Sequence, residues 1–302
     1  MAALHGILPV LQIPLLVHDG MEEVDEESLR SEVDFCVDCG AHGLVVPALA
    51  SEFMVLTDEE RRQVVEVVVD QAAGRVPVVA NVAATSTNGA VVFARHARDI
   101  GVAAVMALPP YVRKPDANGV VAYYSAISAA AGVPVVIQNA PPPFGTNMPT
   151  SLVVRIVDEV DGVAYIKEER QPPGHCMSDV LGQASDRLQG VFGGSAGLYL
   201  PGELRRGAIG CMPSAAVTDV LVAVYDAFSN GHEEAARETH RRVLPLLTME
   251  MSVMMAVSKE VLRRRGVFST TIMRDPEFPS LDAGDVAELD AMWPEVSSLF
   301  AM

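Results

Sequence analysis

The sequence predicts a closed parallel (β/α)8 barrel followed by a carboxy-terminal helical extension. Three observations carry that reading. Short apolar runs recur eight times, and an amphipathic helical pattern separates each run from the next. The runs are continuous rather than alternating, as strands buried on both faces are. No glycine-rich dinucleotide fingerprint follows the first run, as an open doubly wound sheet would more often show.

Residues 7–13 (Ile-Leu-Pro-Val-Leu-Gln-Ile) are the first expected strand, followed by a turn at Asp19-Gly20. The acidic stretch 22–27 is expected to open a helix, where the macrodipole favours negative charge, and Gly40 to end it. Residues 43–47 form a second strand, and Thr57-Asp58-Glu59-Glu60 is a capping box for a helix running to Gly74. A third strand covers 76–82, and Thr85-Ser86-Thr87-Asn88 caps the helix that closes at Gly101. The fourth strand, 102–108, ends in Pro109-Pro110-Tyr111; a helix over 119–131 leads to a fifth strand at 134–138. A proline-rich loop (139–149) and a helix (150–160) precede the sixth strand, 162–166. Helix 175–185, strand 188–192, helix 196–206 and strand 208–212 complete the alternation. From residue 215 the pattern is helical to about 265 and again over 282–299. The chain therefore divides into a barrel (1–214) and a region holding the last barrel helix and the extension (215–302).

Of the 302 residues half are hydrophobic and 20% charged, which is ample for a large core and argues against extended disorder. A formal charge of −17 repels phosphate backbones and anionic lipid, so neither nucleic acid nor membrane is an expected partner. No apolar run is long enough to span a bilayer and no secretory signal pattern opens the sequence, so a cytoplasmic protein is expected. Cys36, Cys39, Cys176 and Cys211 suit reduced thiols. Cys36-Val-Asp-Cys39 lacks a second ligand pair at zinc spacing and reads as buried apolar positions, so neither metal nor cofactor is expected.

In such a barrel the active site lies at the carboxyl ends of the strands. That rule selects residues 48–52, 109–114, 138–143, 167–169, 193–195 and 212–214. Lys167 stands out among them, one of only three lysines in the chain, placed where a buried strand runs out. Desolvation disfavours the ammonium form, and a neutral amine is what attacks a ketone to form a Schiff base. The plainer reading is a snorkelling lysine paired with Glu168 or Glu169. Gly190 to Gly197 is glycine-rich and opens a helix, so it offers a place for an anion.

Several of these pieces together resemble the dihydrodipicolinate synthase and N-acetylneuraminate lyase family, over residues 6 to about 268. They are 43–52 (Gly-Leu-Val-Val-Pro-Ala-Leu-Ala-Ser-Glu) with 56–60 (Leu-Thr-Asp-Glu-Glu), 109–115 (Pro-Pro-Tyr-Val-Arg-Lys-Pro), 134–141 (Pro-Val-Val-Ile-Gln-Asn-Ala-Pro), Ile166-Lys167-Glu168, Gly193-Gly194 and 206–210 (Arg-Gly-Ala-Ile-Gly). The resemblance implies a TIM barrel with a helical extension, a homotetramer built as a dimer of dimers, and a Schiff base between Lys167 and a 2-oxo acid. In that Schiff-base reading the substrate carboxylate is expected on backbone N–H groups of Leu49, Ala50 or Ser51, and Asn139, Glu169, Gly194 and Ser195, from the strand-end set, are expected to complete the substrate site.

Departures from the family pattern narrow the reading. Where the synthases and sialic-acid lyases carry Gly-Thr-Thr-Gly-Glu or a close variant this chain has Ala48-Leu49-Ala50-Ser51-Glu52, so the hydroxyl that usually relays a proton is missing. The usual tyrosine at the end of the fifth strand is Gln138, and the second tyrosine of the usual pair is Val112, leaving Tyr111. Pro142-Pro143 stands where the synthases carry an arginine. A phenol can shuttle a proton; an amide cannot titrate, although it can orient a carbonyl or hydroxyl. Gln138, Ala140, Pro141, Ser51 and Glu52 are similar to a branch of 2-keto-3-deoxy-sugar-acid dehydratases, L-2-keto-3-deoxyarabonate dehydratase among them. The expected activity is therefore a lyase that dehydrates or cleaves a 2-oxo acid, with Lys167, Gln138 and Tyr111 as catalytic candidates. The alternatives are 4-hydroxy-tetrahydrodipicolinate synthase, and a barrel that binds a 2-oxo acid or another ligand with little turnover, suggested by an apolar mouth of Leu49, Ala50, Val112, Pro142, Pro143 and Phe144. Glu52 reads as a structural acceptor, His96 and His240 as surface or interface groups, and Met249, Met251, Met254 and Met255 as core or interface.

Overall fold

Every apolar run becomes a strand of one sheet in the computed structural model, which describes residues 3–141, 144–278 and 280–301. In chain order the strands are β1 (Gly6–Ile7), β2 (Leu15–His18), β3 (Met21–Val24), β4 (Leu44–Val46), β5 (Val78–Asn81), β6 (Ala104–Ala107), β7 (Val135–Asn139), β8 (Val163–Glu168), β9 (Gly190–Gly193) and β10 (Gly210–Cys211). Eight of them pair in parallel in the order β1-β10-β9-β8-β7-β6-β5-β4. Val10 shuts the ring by bridging to both Val45 and Ser214, and Leu11 N donates to Val45 O at 3.0 Å.

The expected first strand is broken. Pro9 and Pro14 offer no N–H to a ladder, so only β1 and the Val10 bridge remain of residues 7–13. Beyond it β2 and β3 form an antiparallel hairpin that the sequence reading did not anticipate. Its turn residues Asp19 and Gly20 both have positive φ (50° and 77°), as a two-residue hairpin turn requires. Glu22 and Glu23 therefore belong to a strand, and the first helix begins at the Asp25 cap, which accepts from Ser28 N.

The helices that cover the sheet are α1 (Glu26–Asp38), α2 (Asp58–Ala72), α3 (Thr87–Asp99), α4 (Ala117–Ala131), α5 (Thr150–Glu159), α6 (Pro173–Gln183), α7 (Leu200–Arg205) and α8 (Thr218–Ser229). Then come α9 (Glu233–Val253), α10 (Met255–Arg264) and α11 (Ala283–Ser297). The capping box at Thr57 and Glu60 forms as expected. The single helix expected over 196–206 is instead a 3-10 turn, Ser195–Gly197, followed by α7. Ser195 and Ala196 hold positive φ (48° and 55°), a conformation costly for residues with a Cβ and one that stops a helix from starting there. Among the described residues no helix is long and apolar enough to cross a membrane.

Two apolar cores result. One fills the ring with Val45, Val79, Met106, Val136, Tyr165 and Phe192; the other lies between the sheet and its helices. Alternation along a strand fixes which residues face inward. On β8, Tyr165 and Lys167 share the inner face, and Gln138 is the register partner of Lys167 on β7. Asn139 and Glu168, also partnered, face the helices.

The extension is tied to the barrel by a buried ion pair. Glu52 Oε1 accepts from Lys259 Nζ at 2.5 Å, and Glu52 Oε2 accepts from the backbone N–H groups of Arg274 (2.8 Å) and Asp275 (2.7 Å). Lys259 also donates to Ile272 O at 2.7 Å. Burial lowers the Lys259 pKa, against which the Glu52 charge works. Glu52→Ala is expected to cost about 3–5 kcal/mol, because an uncompensated ammonium would be left in the interior. A urea titration checks this: an unchanged midpoint in the variant contradicts it.

Candidate active site

At the carboxyl end of the ring lies a cavity of ≈ 120 Å³, lined by Lys167, Glu169, Leu49, Ala50, Ser195 and Ser214 among others. Lys167 lines this cavity and is only 5% exposed. Its Nζ lies 3.3 Å from Glu169 Oε1. That carboxylate is itself held: Gln138 Nε2 donates to Oε2 at 3.0 Å and Ser195 N donates to Oε1 at 3.2 Å. The strained turn at Ser195 is thus what aims an N–H at Glu169. Gly194 leaves room for the carboxylate, since a Cβ there would stand 2.3 Å from Glu169 Oε1.

Leu49 and Ala50 open the 3-10 turn Leu49–Ser51 and line the cavity. Their N–H groups precede the first internal bond of that turn, from Ser51 N to Ala48 O (2.9 Å), and find no acceptor among the described residues. Two free donors beside a lysine suit the carboxylate of a small acid.

Other expected site residues are placed elsewhere. Ser51 is fully buried: its N–H, expected to hold a carboxylate, donates to Ala48 O instead, and its hydroxyl donates to Leu11 O and accepts from Ala48 N, so it stabilises the turn and does not line the cavity. Asn139 lies on the outer face of β7, donating to Glu168 Oε2 at 2.8 Å and Met148 O at 3.4 Å. Glu168 is the buried partner of Arg170 (3.1 Å). Tyr111 is outside the cavity, edge-on to Phe53 at 5.8 Å, where burial raises its pKa. Gln138 does not line the cavity; its amide orients Glu169. Val112 is 62% exposed and Phe144 lines the cavity, while Pro142 and Pro143 fall outside the described residues. His240 is not a surface group but is buried, its Nε2 2.9 Å from Gly197 O.

The match that decides the family spans residues 3–288 and is to the model described as "Dihydrodipicolinate synthetase family". The chain belongs to the dihydrodipicolinate synthetase family. It is, with that family, a lyase. Among its relatives, L-2-keto-3-deoxyarabonate dehydratase of Azospirillum brasilense is 30% identical over 292 residues, covering 95% of this chain and 93% of that protein. A 4-hydroxy-tetrahydrodipicolinate synthase of Methanopyrus kandleri is 29% identical over 245 residues, 80% of each chain. A putative dihydrodipicolinate synthetase from Pseudomonas aeruginosa superimposes with a TM-score of 0.89 at 28% identity, covering 98% of this chain and 100% of that one.

For this member of the dihydrodipicolinate synthetase family, sequence reading missed two carboxyls. Glu250, near the end of α9, lines the cavity together with Met251, Met254 and Met255, so three of the four clustered methionines are cavity walls. Helical spacing alone did not distinguish that wall from core. Glu203, on α7, is 1% exposed, and neither of its oxygens has a partner among the described residues. Burial, helped by the charge of Glu169, pushes its carboxyl up from 4.5 to about 8. Between those values the folded state keeps a proton that the unfolded state has lost, so Glu203 makes the fold progressively less stable as pH rises towards 8. Glu203→Gln is expected to gain on the parent by up to roughly 4 kcal/mol between pH 5 and pH 8. Denaturation midpoints at both pH values test this; parallel pH curves for the two proteins would refute it.

Proposed function

We propose that this protein is a Schiff-base-forming lyase that dehydrates a 2-keto-3-deoxy sugar acid or a related pyruvate derivative, with Lys167 as nucleophile and Glu169 as proton carrier. The observation that carries the reading is the pair itself: a buried lysine in the cavity, 3.3 Å from a carboxylate. That carboxylate is held by two hydrogen bonds.

In this reading Glu169 takes a proton from the Lys167 ammonium, and the free amine adds to the C2 ketone. Glu169 returns the proton to the carbinolamine hydroxyl, which leaves as water. The iminium withdraws electrons and acidifies C3, whose proton passes to Glu169, giving an enamine. The enamine expels the C4 hydroxyl, protonated by Glu169, as a second water. Hydrolysis of the unsaturated iminium then frees Lys167 and the dehydrated 2-oxo acid. The Leu49 and Ala50 N–H groups hold the substrate carboxylate throughout. Retro-aldol cleavage would diverge at the iminium: Glu169 takes the C4 hydroxyl proton, C3–C4 breaks to give an aldehyde and the pyruvate enamine, and protonation at C3 followed by hydrolysis releases pyruvate and frees Lys167.

The synthase reading has relatives on its side, such as the M. kandleri protein. Against it stands the Ser51 hydroxyl, which is engaged with Leu11 O and Ala48 N and so is no relay. Incubation with pyruvate or a 2-keto-3-deoxy sugar acid, then borohydride, followed by mass measurement of the intact chain and the Lys167 peptide, separates the cases. An adduct on Lys167 supports the lyase. No adduct with any 2-oxo acid leaves a ligand-binding barrel, and product formation from pyruvate and aspartate semialdehyde identifies a synthase.

The working unit in this reading is a homotetramer, a dimer of dimers, in the cytoplasm. Family resemblance supports the assembly, which offers a surface to cover the exposed side chain of Val112, and four cysteines held in no disulfide suit a reducing compartment. Sedimentation equilibrium is expected to give four times the chain mass; a monomer at micromolar concentration excludes the assembly.

A further inference from the structure

The cavity has a second polar pole that the lysine chemistry leaves unused. Much of its remaining lining is apolar: Val10, Ala140, Phe144, Met212, Met251 and Met254. At the other pole stand Glu250 and Ser214, both lining the cavity and both buried, with Ser258 (1% exposed) beside Glu250. The hydroxyls of Ser214 and Ser258 lie against the Glu250 carboxyl without completing a well-formed hydrogen bond to it or to any other described residue. Buried polar groups left incompletely paired cost about 1–3 kcal/mol each, so the retention of Glu250 and Ser214 in an otherwise apolar wall points to a ligand that completes them.

The backbone is bent to assemble this pole. In one continuous helix Glu250 and Ser258 would stand about 12 Å apart along the axis, eight residues at 1.5 Å each. Instead α9 ends and α10 begins at Met254, whose φ of 52° and ψ of −133° are strained for a residue with a Cβ, and the break brings the carboxyl and the hydroxyl together.

Resting on the reading of Lys167 as the imine-forming residue, we propose that Glu250 and Ser214, with Ser258 behind the carboxyl, form the subsite for the distal hydroxyl of the substrate and select a hydroxylated monocarboxylic 2-oxo acid. Burial pushes the Glu250 carboxyl up to about 7, with the neighbouring serine hydroxyls working the other way. Near neutrality both protonation states are therefore populated, and the protonated one offers an O–H donor beside a C=O acceptor, the complement of an alcohol, which donates and accepts at one atom. A second carboxylate at that end would meet Glu250 with no cation to receive it, since Lys167 is the only basic residue lining the described cavity. The subsite thus discriminates against dicarboxylic 2-oxo acids as well as against plain pyruvate.

The test is borohydride trapping on the full-length protein with pyruvate, 2-oxoglutarate and a 2-keto-3-deoxypentonate, reading the concentration of each that half-saturates the Lys167 adduct. In the parent, the deoxypentonate is expected to half-saturate at a concentration at least about tenfold below 2-oxoglutarate. In Glu250→Leu and in Ser214→Ala the ratio of the deoxypentonate value to the pyruvate value is expected to rise about tenfold, the equivalent of one lost hydrogen bond. A parent that traps 2-oxoglutarate as readily as the deoxypentonate overturns the subsite, even if neither variant folds. So does a ratio that stays constant in folded variants. A parent that forms no adduct with any of the three overturns the Lys167 reading, and the subsite with it; adduct formation with an unmoved ratio overturns the subsite alone.

Discussion

Lys167→Ala is expected to abolish the borohydride-trapped adduct and to lower kcat/KM by about 10⁴-fold or more, the scale on which loss of a covalent nucleophile is felt. The protein should remain folded. Lys167 is not part of the apolar filling of the ring, and Glu169 keeps its bonds from Gln138 and Ser195 when the amine is gone. Lys167→Arg makes the stricter comparison, because it preserves a cation beside Glu169 but no attacking amine. If the arginine variant turns over substrate within tenfold of the parent, Lys167 acts as a charge and the covalent route is wrong.

Glu169→Gln is expected to be next in severity, lowering kcat by about 10²–10⁴-fold, the range of a lost general acid–base group. The amide is isosteric and can still accept one of the bonds from Gln138 or Ser195. What disappears is the capacity to move a proton among the lysine, C3 and the leaving hydroxyl. Two readouts divide the roles. Slow adduct formation with pyruvate would place Glu169 at the imine step, whereas normal adduct formation with slow release of dehydrated product would place it at C3 and C4. An unchanged kcat would contradict both and make Glu169 a mere ion-pair partner of Lys167.

The alternation of apolar runs with helical patterns made the barrel legible, because strands buried on both sides leave an uninterrupted apolar signature. It failed at the first strand, where Pro9 and Pro14 cut the ladder, and at residues 15–24, where a mostly exposed hairpin carries only the three-residue apolar run 15–17. Lys167 and Glu169 were legible because strand-end position is a matter of counting. Asn139 and Ser51 were misplaced for a reason counting can partly repair: Asn139 is one residue out of phase with Gln138, and the strand pleat sends it to the opposite face. Tyr111 has no such internal signal, since a loop after a strand sets its own direction. Glu250 was illegible for a different reason. It sits on a helix remote in sequence from every strand end, and only the break at Met254 brings it to the ring.

The seam at Val10 has a bearing on how the molecule is made. The three residues that meet there, Val10, Val45 and Ser214, are separated by most of the catalytic half of the chain, and Val10 and Ser214 are themselves walls of the cavity. A nascent chain emerging from the ribosome therefore carries β1 with an open edge until β10 has been synthesised. Such long-range closure slows folding, since the entropy of bringing the two ends together is lost before their contact is gained. The same event that seals the cylinder also finishes its pocket, so an incompletely translated or incompletely annealed chain has no place for a keto acid to react.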